Sequence, residues 1–372
     1  MTEPPYKNKK RANNYTKLIM QKFLIIRLSS MGDVILTSLL IRCIKKTFPN
    51  AKIDFVVDKN FVETIQFNPH LNKIIIYDKT KNITTNNLLK KELTSDYKII
   101  DLQNNLRSIC FRRGLGENIV AIPKRRFQKL CLTMLKINLF EKISIPQLYL
   151  KTAAKFNIEN DGKGLELWLN DETPNNYFPA KKQNIPLHDA IKNNENCVIA
   201  IAPAAKHKTK QWIPEYFADL IAKLHQQYAV KFYLLGGKAD YEICCLIENI
   251  VKQNNVEKCI ISNHSGKTSI LETAKLIDEC SLLITNDTGI MHIGAARQIP
   301  IVSIFGSTSP AFGFAPYFGE MPNNMMKICS LDLKCQPCTH IGKKKCPKNH
   351  FNCMKLLKSD MVFEKIVELI NQ

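Results

Sequence analysis

Nowhere in this 372-residue chain does an apolar run approach the roughly 20 residues that a bilayer-spanning helix needs. The opening stretch, Met1 to Arg11, is polar and basic and has no signal-peptide core, so the expected location is the cytoplasm. Acidic side chains are sparse too: 33 Asp and Glu stand against 53 Lys and Arg, a formal net charge of +20. The deficit is local. Lys7 to Arg27 holds seven Lys or Arg and no acid, and Lys334 to Lys358 holds seven Lys and no acid. A third group, Arg107, Arg112, Arg113, Lys124, Arg125, Arg126, Lys129 and Lys136, is opposed only by Glu117. Such an imbalance points to a polyanionic partner, an anionic membrane face or a nucleic acid, with a solubilising surface as the plain alternative. Nucleic acid is not expected, because a strand-binding groove interleaves aromatics with its cations and Lys334 to Lys358 offers only Phe351. A repeat of the solenoid type is missing as well.

Thirteen cysteines are present. Cys43, Cys110, Cys131, Cys197, Cys244, Cys245, Cys259 and Cys280 are scattered inside apolar segments and read as small buried hydrophobes in a reducing compartment. Cys335, Cys338, Cys346 and Cys353 are clustered and look like a four-thiolate zinc site, with reduced thiols or a local disulfide as alternatives.

The length exceeds what one core usually serves, so two domains are expected. Short apolar runs at Phe23–Ile26, Ile53–Val57, Lys73–Tyr77, Tyr97–Leu102 and Asn118–Ile122 alternate with helical patterns, which implies a parallel sheet covered on both faces. After a polar stretch the pattern resumes with strands at Val198–Ala202, Val230–Leu235, Cys259–Ile261, Ser281–Ile284 and Ile301–Phe305. The expected layout is a basic extension (1–20), a first domain (21–170), a connector (171–196), a second domain (197–330), and a Cys/Lys-rich segment with a terminal helix (331–372).

Two strand-to-helix junctions carry the chemistry. Leu282-Leu283-Ile284 runs into Thr285-Asn286-Asp287-Thr288-Gly289 and then a helical pattern containing His292, which offers bare N–H groups and a positive dipole end to a phosphate. Phe23 to Ile26 likewise runs into Arg27-Leu28-Ser29-Ser30-Met31-Gly32-Asp33, where Gly32 permits a turn and Asp33 lies near the helix start. An Asp there is also an ordinary cap, and His292 on an apolar helix is also an ordinary core histidine.

Four ordered segments resemble the bacterial ADP-heptose:lipopolysaccharide heptosyltransferases: Arg27 to Val34, Asp101 to Ser108, Lys210-Gln211-Trp212-Ile213-Pro214, and Asn286 to His292 followed by Ile304 to Pro310. The resemblance implies an α/β GT-B architecture, two doubly wound Rossmann-like domains facing across a cleft, and inverting, metal-independent transfer of a heptose from an ADP-sugar to a lipid-linked core oligosaccharide. Asp33 is then the base, Lys210 the cation on the diphosphate, Thr288 and Gly289 the amide donors, and Asp287 and His292 further donor contacts. Glu242, opening a helix after Gly236-Gly237, is a candidate for the ribose, with Asp240 equally placed. Ser30, Gly32, Arg107 and Arg112 fall on the acceptor side, where guanidinium forks suit acidic sugars. Relatives often carry Gly where this chain has Asn104. No cofactor is expected beyond the nucleotide-sugar co-substrate, and peripheral attachment to the inner face of the inner membrane follows from the lipid acceptor. A UDP-linked donor, an epimerase on the same fold, or a basic nucleic-acid-binding protein are the alternatives.

Overall fold

The computed structural model describes residues 20–78, 80, 93, 96–174, 176–177, 187–192, 197–228, 230–254, 256, 258–320 and 323–372. The expected extension over 1–20 lies outside them except for Met20, as does part of the connector over 171–196. Five strands form the amino-terminal sheet: β1 (Lys22–Ile26), β2 (Lys52–Asp58), β3 (Lys73–Tyr77), β4 (Lys98–Asp101) and β5 (Ile119–Ala121). They pair in the order β3-β2-β1-β4-β5, all parallel. β1 lies at the centre and alternates its side chains between two cores, Phe23 and Ile25 to one face and Leu24 and Ile26 to the other. The order reverses between β1 and β4, which is where a doubly wound sheet holds its ligands.

The carboxy-terminal sheet has six parallel strands, one more than expected: β6 (Val198–Ala202), β7 (Lys231–Leu234), β8 (Ile261–Asn263), β9 (Leu282–Asn286), β10 (Ile301–Ile304) and β11 (Met326–Cys329). Their order is β11-β10-β9-β6-β7-β8, again with a switch point, here between β6 and β9. The added strand, Met-Lys-Ile-Cys, is a half-buried edge. Cys329 and the terminal helix Ser359–Ile370 share one core, so the segment after residue 331 completes this lobe. β8 begins at Ile261, later than the apolar signal at Cys259, because the ladder to β7 recruits Ser262 and Asn263 opposite Tyr233 and Leu234. Among the described residues no helix is long and apolar enough to cross a membrane.

The lobes touch. The short helix Met31–Ile35 of the first packs on the helix Gly289–Ala296 of the second. The two strand-to-helix junctions meet directly at Met31, Gly32 and Gly289. A Cβ at Gly32 would stand 2.6 Å from His292 Cδ2, and one at Gly289 would stand 2.2 Å from Met31 Cε. Glycine at position 32 leaves room for the buried His292 ring, whereas at Gly289 the close atom is the end of the flexible Met31 side chain. The chain crossing between lobes is tied at both ends. Arg42 makes a bidentate pair with Asp161, at 2.7 and 3.0 Å, and fully buried Arg297 bridges Glu172 and Asp278 at 2.7 and 2.6 Å.

Candidate active site

The loop after β1 is held by side chains from the middle motif. Gln103 Oε1 accepts from the Leu28 and Ser29 amides at 3.0 and 3.1 Å, so the sequence Arg27 to Ser30 is braced before its helix begins. Asp33 then closes a capping box: its carboxylate accepts from the Ser30 amide at 3.1 Å and the Ser30 hydroxyl at 2.7 Å. Its other oxygen lies 2.6 Å from the Arg27 guanidinium. Burial pushes the Asp33 pKa up, but Arg27 and the Ser30 hydrogen bonds outweigh it and leave the group below the usual carboxylate range. Asp33 is thus both a cap and an ionised carboxylate at the lobe contact.

Two residues beside it were not singled out by sequence reasoning. Arg27 sits in the quoted motif, yet its use as the partner of Asp33 shows only in three dimensions. Tyr149 had no signal at all, being one more apolar position in the helix Ile145–Thr152. Its ring lies 5.9 Å from the Arg27 guanidinium, and its buried hydroxyl has no hydrogen-bond partner among the described residues. Burial raises its pKa, with Arg27 opposing and Asp33 adding.

On the facing lobe, β9 delivers Asn286 and Asp287. Asn286 is fully buried, accepting from the Trp212 amide at 3.2 Å and donating to the Pro203 carbonyl at 2.6 Å, which fastens the Lys210 turn to the end of β9. Lys210 Nζ lies 2.7 Å from Asp287 Oδ2, which also accepts from the Thr308 hydroxyl at 2.7 Å. That contact explains why Trp212 and the Ile304 to Pro310 segment travel with Lys210. The cysteine-rich tail joins here too: the Thr209 amide donates to the Lys343 carbonyl at 3.1 Å, and Gly342 packs on the Lys210 side chain.

Thr288 and Gly289 open the helix that carries His292. His292 is buried, its Nδ1 has no hydrogen-bond partner among the described residues, and its Cδ2 edge faces Gly32. Burial pulls its pKa down to about 4, against Asp287 and Asp33, which raise it, and with Lys210, which lowers it. Three charged residues from two lobes therefore act on one neutral imidazole.

The remaining candidates lie further out. Arg112 stands 3.4 Å from buried Asp101, so it is engaged within its own lobe, and Arg107 is exposed on the first turn of the same helix. Asn104 has φ +43, the left-handed region that favours glycine and tolerates asparagine, and its side chain donates to the Ile122 carbonyl at 2.8 Å. Glu242 is exposed on the first turn of the helix Tyr241–Gln253, while Asp240 instead caps Gly237 at 2.8 Å.

Cys335, Cys338, Cys346 and Cys353 are free thiols that come near one another. Burial first, then the three neighbouring thiols, push Cys353 up to about 12. Among the described residues no three His, Cys, Asp or Glu stand in a geometry that would hold a metal ion.

A curated relative, lipooligosaccharide heptosyltransferase 2 of Campylobacter jejuni serotype O:2, is 30% identical over 342 residues, 91% of this chain and 95% of its own. A glycosyltransferase family 9 structure from Veillonella parvula superposes with a TM-score of 0.69 at 18% identity, covering 94% of this chain and 97% of the other. The E. coli ADP-heptose LPS heptosyltransferase II structure gives 0.65 at 18% identity, covering 95% and 99%. These two share the fold, which is GT-B. The family model "Glycosyltransferase family 9 (heptosyltransferase)" matches residues 88–349, and with the Campylobacter relative it shows that the chain belongs to glycosyltransferase family 9, the heptosyltransferases.

Proposed function

We propose that the protein transfers a heptose from ADP-heptose to a lipopolysaccharide or lipooligosaccharide core acceptor, with inversion at the anomeric carbon and without a metal ion. An acceptor hydroxyl attacks the anomeric carbon, the new C–O bond forms as the bond to the diphosphate oxygen breaks, and the hydroxyl proton passes to the Asp33 carboxylate. ADP departs with the bonding pair. Its growing charge is met by Lys210 and by the Thr288 and Gly289 amides, so electrostatic stabilisation replaces what a metal would supply. Asp287 releases Lys210 to the diphosphate and takes sugar hydroxyls. Neutral His292 donates or accepts beside them, and Glu242 takes the ribose. Ser30, Gly32, Arg107 and Arg112 shape the acceptor side.

One observation carries this reading: in a family 9 heptosyltransferase, ionised Asp33 of one lobe and the Lys210–Asp287 pair of the other both act on His292. The lipid-linked acceptor places the enzyme at the cytoplasmic face of the inner membrane. The test is to incubate purified protein with ADP-heptose and lipid acceptor extracted from a heptose-deficient strain, with and without EDTA. The expected result is one added heptose by mass, an inverted anomeric centre by NMR, and equal rates in both buffers. Tighter binding of UDP than of ADP, or loss of activity in EDTA that added metal restores, would overturn the corresponding part.

A further inference from the structure

The span from Lys124 to Leu139 contains five Lys or Arg and no acid. Its apolar side chains are in the wrong place for a soluble surface. Among the described residues, six of the sixteen exposed large apolar side chains fall between Phe127 and Leu139, which is too dense for the single exposed hydrophobes that any surface carries. Phe127, Met134 and Leu135 are 68%, 70% and 64% exposed. The segment is nevertheless built, because Cys131 and Leu132 are buried and anchor the turn Cys131–Leu135 that follows the helix Arg126–Leu130. Lys136 Nζ donates to the Pro337 and Cys335 carbonyls at 2.7 and 3.1 Å, so the segment straps the first lobe to the tail of the second. Lys129 is close enough to Asp33 and Arg27 for both charges to act on it, which sets the strap beside the base.

We infer that this strap is a membrane-docking surface: Phe127, Leu130, Met134 and Leu135 enter the interfacial layer of an anionic bilayer while Lys124 and Arg126 meet its headgroups. Charge decides the occupant. A second copy of the same face would bring cations against cations, and Glu141, the next acid along the chain, is taken by Lys151 at 2.7 Å. Nucleic acid would need stacking aromatics, and Phe127 is the one exposed aromatic in the segment. A sheet of phosphate headgroups over acyl chains supplies both the negative charge and the apolar layer. The inference rests on the proposed lipid-linked acceptor, which the strap would bring to the Asp33 side of the enzyme at the bilayer surface.

Flotation of the full chain with phosphatidylethanolamine–phosphatidylglycerol vesicles, against phosphatidylcholine vesicles, tests it without donor or acceptor. The parent is expected to float with the anionic vesicles only. Lys124→Gln and Arg126→Gln should each weaken binding on the order of fivefold. The combined Phe127→Ser, Met134→Ser and Leu135→Ser variant should weaken it at least on the order of tenfold. That variant should keep its rate on a delipidated soluble core acceptor and lose rate on the same acceptor held in vesicles. Parent-like flotation of the serine variant would overturn the inference, as would a parent that sediments as a dimer and becomes monomeric in the variant. If neither protein transfers heptose in any format, the functional reading fails while the flotation result still decides the surface.

Discussion

Gly32→Ala puts one methyl group into the contact between the lobes. The backbone there is ordinary helix, so alanine gains at most about 1 kcal/mol of helix propensity. Against that gain, the new Cβ would stand 2.6 Å from His292 Cδ2 and 3.5 Å from Gly289 Cα. The ring is buried and belongs to the second lobe, so it cannot swing into solvent. Overpacking a filled site costs about 1–3 kcal/mol, which leaves a net loss of up to about 2 kcal/mol. Catalysis should suffer more than stability, because the next residue is Asp33 and a shift of about 1 Å in a reacting group costs on the order of 100-fold. Gly289→Ala is the comparison. Its Cβ would come closer still, 2.2 Å from Met31 Cε, but that atom ends a flexible side chain, and the nearest backbone atom, Gly32 N, is 3.6 Å away. Urea unfolding should therefore show Gly289→Ala within about 0.5 kcal/mol of the parent and Gly32→Ala clearly less stable. Initial rates for Gly32→Ala should show kcat/KM reduced on the order of 100-fold, with part of the stability returned by adding His292→Ala. Equal stability and activity for Gly32→Ala and the parent, or a larger stability loss in Gly289→Ala, would refute the rigid contact.

Three further outcomes follow from the same geometry. His292 falls from 6.5 to about 4 on folding, so the unfolded chain binds a proton that the folded one refuses between those values. The folded state accordingly keeps its full stability above about pH 6.5 and should lose about 2 kcal/mol through this group by pH 5. Urea unfolding at pH 7 and pH 5 should show that loss reduced in His292→Gln, and equal losses in both proteins would contradict it. Arg297→Met strands Glu172 and Asp278 without their shared cation and should cost about 3–5 kcal/mol by thermal unfolding. A loss under 1 kcal/mol would mean that the crossing segment is held by something else. Lys210→Ala should weaken ADP binding by calorimetry on the order of 10- to 100-fold, the worth of a charge-assisted hydrogen bond, and unchanged affinity would remove Lys210 from the diphosphate.

The strands were legible because parallel strands buried on both faces read as unbroken apolar runs, as in Phe23 to Ile26 and Leu282 to Ile284. β11 was not, since an edge strand of four half-buried residues carries too little pattern to separate from the polar segment around it. The candidate site was readable where a local motif fixes a turn. Ser30 and Asp33 are three residues apart and close a box within the chain, and Asp287 directly follows a strand. What depended on long-range packing was invisible. Arg27 finds Asp33 only when the loop folds back, Tyr149 reaches both through a helix more than a hundred residues on, and the tail meets Lys210 from over 130 residues away. Arg112 shows the converse: an exposed-looking cation in sequence that folds onto buried Asp101.

The assignment of Asp33 as the base is tested most directly by Asp33→Asn. Asparagine keeps an oxygen for the Ser30 cap and removes the ability to hold the acceptor's proton. With ADP-heptose and lipid acceptor, kcat should fall by about 10²–10⁴-fold while the Kd for ADP changes less than about twofold. A kcat within about threefold of the parent, with the fold intact by circular dichroism, would contradict the role given to Asp33.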